Sequence, residues 1–176
     1  MNSLGMKLAV VQLVLALLVA PRPASGQSAL EATGSGTVET NCLATLAPRC
    51  TVTSTGPMTG SPVLPGAFAL RFDTGSPSSL NGYPGGAGDT FNHGVCLPAS
   101  YRGALSETGG DSLEFTHAGL VCEEAAPGSP YVYTGTFRLT GGTGRFAVAT
   151  GGGTLSATFT RDGAAAFVTL RGAISY

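Results

Sequence analysis

Beyond residue 26 the chain alternates apolar and polar positions in short runs punctuated by Gly, Pro, Ser and Asn, and no window of about eleven residues keeps a helical period. In AFALRFD, Phe68, Leu70 and Phe72 fall on one side while Ala69, Arg71 and Asp73 fall on the other. The same period groups Tyr131, Tyr133, Gly135, Phe137 and Leu139, and again Val168, Leu170, Gly172, Ile174 and Tyr176, so each run presents one face to a core. The runs predict strands at 36–42, 50–54, 66–73, 95–107, 112–121, 131–140, 153–160 and 164–176. Eight strands, mostly joined by short turns, make an all-β fold: a small antiparallel barrel, with a sandwich as the rival closure. Two stretches break the rhythm, 74–92 and 125–130, both rich in Gly, Pro and Ser and both read as loops; the first is long enough to cover a barrel mouth.

Between the sixth and seventh runs lies TGGTGRFAVATGGG, where Gly141, Gly142 and Gly144 allow a sharp chain reversal and Phe146 is placed to plug the rim from inside the turn. Arg145, next to Phe146, is expected to point outward and to tolerate alanine. Gly142 to Ala147 formally matches the dinucleotide-binding G-x-G-x-x-G/A pattern, but that pattern works by laying a pyrophosphate on a helix N-terminus, and the glycines at 151–153 leave no helix to supply one. Instead the segment resembles the strand, glycine turn and strand of the allene-oxide-cyclase and dirigent barrel proteins, whose pattern is met by Leu139, Gly141, Gly142, Thr143, Gly144, Phe146, Ala149 and Gly151. The resemblance implies a β-barrel fold and a steering, cyclase- or isomerase-like activity, in which an acid or Tyr133 would bias closure of a confined reactive intermediate. A weaker echo between 32–41 and 149–158 reads as two glycine turns entering strands.

The first residues change the compartment. Lys7, the apolar run at 8–20 and the small residues Ala24, Ser25 and Gly26 read as a secretory signal peptide at 1–26, cleaved before Gln27 and leaving one domain at 27–176. Export places Cys42, Cys50, Cys96 and Cys122 where disulfides persist. Gly109-Gly110 suits a tight hairpin turn, and folding there brings Cys96 nearly opposite Cys122; the same construction around Leu46 pairs Cys42 with Cys50. Neither C-x-x-C nor H-x-x-x-H spacing occurs, so no metal is expected, and no cofactor. Of the nine basic residues Lys7 and Arg22 leave with the signal peptide, and the remaining seven arginines against ten acids give −3, which excludes a nucleic-acid partner. After cleavage no segment is apolar enough for a membrane, and the expected location is extracellular or periplasmic. Oligomeric state has no signature in the sequence.

Candidate chemistry is sparse, for G-x-S-x-G, H-E-x-x-H and the phosphate-binding glycine loop are all absent. Glu114 and His117 have opposite parity in one strand and would need a bulge to cooperate. Arg71, Arg138 and Arg171 fall on polar strand faces; outward they are a solvated wall, whereas inward, with Asp73, Glu114 and Tyr133, they would line a polar patch able to orient an anionic or carbonyl-bearing ligand. Three readings follow: a barrel that binds a small hydrophobic or amphipathic molecule, the steering activity implied by the resemblance, and a non-catalytic structural or surface-interaction protein. An internal cavity lined with an inward acid would favour the second, and a side-chain-filled core the third.

Overall fold

The computed structural model describes residues 26–43, 49–74, 96–123, 130–160 and 165–176. Eight strands, β1 (Ser28–Leu43), β2 (Arg49–Ser61), β3 (Gly66–Thr74), β4 (Cys96–Glu107), β5 (Ser112–Glu123), β6 (Tyr131–Gly142), β7 (Thr150–Phe159) and β8 (Ala166–Ser175), pair in chain order and close on themselves. Every pairing is antiparallel. A walk along paired residues from Cys42 through Cys50, Thr74, Ala99, Gly119, Gly135, Leu155 and Leu170 arrives back on β1 at Ala32, a stagger of ten residues (42 less 32). That stagger tilts the strands by roughly 40° and leaves an interior about as wide as the side chains that fill it.

The predicted faces are the observed ones except at Tyr176, which lies past the end of β8 and is 47% exposed. Phe68, Leu70 and Phe72 point inward, as do Tyr133, Phe137 and Leu139 on β6 and Val168, Leu170 and Ile174 on β8, and they join Phe115, Leu155 and Phe159 in one contiguous core. Two strands are longer than their sequence runs. β1 begins at Ser28 and β2 continues to Ser61, through glycines and Pro57 that read as breaks. The reason is a close approach of backbones: a Cβ on Gly36 would collide with the Thr55 carbonyl, and one on Gly56 with that of Ser35. Here glycine is a spacing residue inside a ladder rather than a turn signal, and the expected glycine turn at the start of the 32–41 echo is strand.

Alternate connections lie at opposite rims. At the turn rim the β6–β7 reversal holds Gly141 at φ 113° and Gly144 at φ 55°, the left-handed region that favours glycine. A Cβ on Gly142 would meet the Ser112 carbonyl and one on Gly144 the Asp111 carboxylate. A single 3-10 turn, Gly144–Phe146, then drives the fully buried Phe146 into the barrel mouth, where Val63 of the β2–β3 connection is fully buried as well. Arg145 does not stand free. Its guanidinium pairs with the buried Glu107, donates to the Pro62 carbonyl at 2.8 Å and lies 4.6 Å over the Phe146 ring. The Glu107 carboxylate also accepts the Leu64 N–H at 2.8 Å, so Arg145 is outward as expected but is one partner of an ion pair that ties three turns together.

At the other rim Cys96 and Cys122 face each other across β4 and β5 and are disulfide-bonded, as the Gly109-Gly110 hairpin requires. Cys50 is also disulfide-bonded, and the register sets Cys42 directly opposite it; the Cys42 side chain lies outside the described residues. The expected signal peptide, the loops at 75–92 and 125–129 and the turn at Asp162 lie outside them too.

Candidate functional site

The most elaborated surface is the outer wall across β3 to β6. Outward parity and register set Arg102 of β4 beside Thr116 of β5, and Thr116 beside Arg138 of β6. The β3–β4 register on either side places Arg71 opposite Arg102, with Thr53 of β2 beyond it. One row of the wall therefore carries three arginines, and all are exposed. They are not equivalent. Arg71 is held by Asp73, Nε to Oδ1 at 3.0 Å, and that hydrogen bond raises its already high pKa. Asp73 also accepts from the Thr51 hydroxyl at 3.0 Å. Arg102 and Arg138 have no ion-pair or hydrogen-bond partner among the described residues, so their guanidinium donors are left to solvent or a ligand.

A groove flanks each side of this row. The first, about 470 Å³, runs toward the turn rim between Arg71, Arg102 and Glu114, with Ala69 and Ala104 along it and Leu70, Gly103 and Phe115 at its floor. The second, about 380 Å³, runs toward the cysteine rim between Tyr101 and Arg138, over Ala118, Thr136 and Phe137. Gly103 shapes the first floor, since a Cβ there would strike the Phe115 ring and Leu70. The β5–β6 register shifts between Glu114 and Phe115 through an extra residue on β6, Thr140, which lines the same groove, while β5 itself alternates with Glu114 outside and Phe115 inside.

Between the pairs Leu70 with Gly103 and Asp73 with Ser100 the β3–β4 ladder is interrupted. His117 of β5 reaches this break from inside, its Nε2–H donating to the Arg71 carbonyl at 2.9 Å. Its Nδ1 is thereby left to accept the Tyr133 hydroxyl at 3.0 Å. Phe72 packs against both rings, with centroids 4.8 Å away in each case. Burial lowers the His117 pKa against the opposing pull of the Arg71 carbonyl, and burial pushes the Tyr133 phenol up to about 12. The pair is neutral and structural: it satisfies a carbonyl that the broken ladder would leave bare inside the wall. Outside the break, the Arg71 guanidinium lies 4.3 Å over the ring of Tyr101, which remains 41% exposed.

The six residues singled out for a polar patch therefore do not form one lumen. Arg71, Asp73, Glu114 and Arg138 belong to the outer wall around the two grooves. Arg171 is also outward but sits on β8, bound to Glu31 at 3.1 Å. Tyr133 is inside the core, and no acid but Glu107 is buried among the described residues. Glu114 and His117 keep opposite sides of β5, because the extra residue of the bulge is on β6 and leaves the alternation of β5 intact. Sequence reading missed Arg102 and Thr116 as site residues; alternation in β4 and β5 gives their parity, but only the register makes them neighbours of Arg71 and Arg138. Compared with known protein families, curated proteins and solved structures, the chain matches none.

Proposed function

We propose that the protein is an exported, non-catalytic binding module that holds an amphipathic, acid-bearing small molecule on the outer wall of its barrel. The observation that carries this reading is Arg102, a guanidinium without a partner among the described residues, at the mouth of a groove whose apolar floor reaches Leu70 and Phe115. Cation at the mouth and apolar floor below suit a ligand with an acid group and an apolar face. The interior offers less, because Phe72, Phe115, Tyr133, Phe137 and Phe159 occupy it and the Tyr133 hydroxyl is engaged by His117. A steering activity in the barrel draws no support from that packing. Kinship with the allene-oxide-cyclase and dirigent barrels is proposed on the glycine turn and its place at the rim of an eight-stranded barrel. Export is supported by the Cys96–Cys122 disulfide, a bond favoured in oxidising compartments.

The test is titration of the secreted, isotope-labelled protein with aromatic and aliphatic carboxylates and their alcohol counterparts, followed by amide shifts. Acids should perturb the outer residues of β3, β4 and β5, and Arg102→Ala should weaken them about tenfold, the worth of one charge-assisted contact. Shifts centred on Phe72, Tyr133 and Phe137 would instead locate the ligand inside the barrel. Silence toward every acid would leave the surface-interaction reading in place.

A further inference from the structure

Resting on the outer-wall reading, we infer that the two grooves form a single site for an acidic oligosaccharide that lies along β5 with one acid group clamped over Thr116. Thr116 is the one residue that lines both grooves, so they meet on it. Arg102 and Arg138 stand on either side of it in the register, on the two neighbouring strands. Two inter-strand steps separate their backbones by roughly 10 Å, a gap that two long guanidinium side chains can close on one carboxylate or sulfate. Arg71 is already neutralised by Asp73, so the unsatisfied positive charge is concentrated at this saddle rather than spread along the row.

The rest of the track has the chemistry of a sugar site rather than an alkyl slot. From Glu114 in the first groove to Ala118 in the second it extends roughly 13 Å along the strand, longer than one sugar ring. Hydroxyls recur along it, from Thr140, Thr53 and Thr116 to Ser100 and Thr136, and small side chains keep it shallow. Tyr101 edges the second groove with a ring that Arg71 holds in place, a platform for the C–H face of a sugar. Glu114 at the far end accepts sugar hydroxyls and repels a second acid, which sets the direction of the chain: neutral or hydroxyl-rich end at Glu114, acid over Thr116.

The test compares a trisaccharide carrying a single uronate, one carrying a single sulfate, a neutral cello-trisaccharide, a uronate monomer and octanoate, each titrated calorimetrically into the secreted protein and its Arg138→Ala and Ala118→Glu variants. Both substitutions are at exposed positions, and unchanged thermal unfolding checks that they fold. At least one acidic trimer should bind about tenfold or more tighter than both the monomer and the neutral trimer, and each variant should return it to monomer affinity. Which acidic trimer gains distinguishes carboxylate from sulfate as the clamped group. A monomer or octanoate that matches the acidic trimers, with both variants silent, would confine binding to the first groove; this overturns the oligosaccharide assignment and spares the outer-wall reading. Equal binding of the neutral trimer removes the clamp and overturns it too. Loss of binding for every acid sinks both.

Discussion

The two rims of the barrel are closed by different physics. At the turn rim Phe146 and Val63 fill the mouth, and the Arg145–Glu107 pair draws the β2–β3, β4–β5 and β6–β7 turns together through the Leu64 N–H and the Pro62 carbonyl. Among the described residues no disulfide holds that end. At the other rim Cys96–Cys122 joins β4 to β5, and a second disulfide holds Cys50. Between them runs an aromatic layer, Phe72, His117, Tyr133 and Phe159, that carries the buried titratable pair. The difference teaches that one end depends on close packing and a buried charge pair, and so on point substitution, whereas the other depends on redox state and the layer between them, through His117, on pH.

The largest effect should come from removing the plug. Phe146→Ala empties a fully buried ring site and should cost about 3 to 5 kcal/mol in urea unfolding. Removing the Cys96–Cys122 bond alone, by Cys96→Ser with Cys122→Ser, should act next and at the opposite rim: its cysteines are 26 residues apart, and the loss should be about 3 kcal/mol on chain-entropy grounds. Peptide mapping before reduction should also recover Cys42 linked to Cys50; a Cys50–Cys96 peptide would overturn the hairpin pairing. If the rims are independent, the two losses add within roughly 0.5 kcal/mol when Phe146→Ala is combined with Cys96→Ser and Cys122→Ser.

Arg145→Ala should follow at about 2 to 3 kcal/mol, because it leaves Glu107, whose side chain is 4% exposed, charged and without its cation. The cost stays below that of a fully enclosed pair since Arg145 itself is 35% exposed. Glu107→Gln in the Arg145→Ala background should recover part of the loss, and a recovery of none would mean that Arg145 acts only by covering Phe146 and Tyr176.

The aromatic layer sharpens the contrast through pH. Burial depresses the folded His117 pKa, so the unfolded chain takes up a proton that the barrel refuses. Its contribution is therefore held above the ordinary histidine pKa of about 6.5 and lost as pH falls from there toward the depressed folded value. His117→Gln should flatten that acid limb of the stability profile, and a profile identical to the parent would show that His117 is not its source. The smallest effect belongs to the outer wall: Arg102→Ala should change stability by no more than about 0.5 kcal/mol while weakening acid binding, which separates the site from both rims.

The alternation in AFALRFD, YVYTGTFRLT and FVTLRGAISY determined which residues are core, because strand parity is a local, two-residue property of the backbone. The Gly109-Gly110 turn fixed the Cys96–Cys122 pairing for the same reason, since a hairpin register needs only its own turn. The glycines at 141, 142 and 144 announced a reversal that a β-carbon would obstruct. What closure alone decided lies between segments distant in the chain. The ten-residue stagger sets which outer residues share a row, and so brings Arg102 to Arg71 on one side and to Thr116 and Arg138 on the other. Arg145 meets Glu107 across 38 residues of sequence, and His117 meets the Arg71 carbonyl across 46. Glycines in β1 and β2 misread as turns because their role is to let two distant backbones touch, a requirement invisible until the strands are paired. Parity is written in each strand, but neighbours are made by register, and register is a property of the closed barrel.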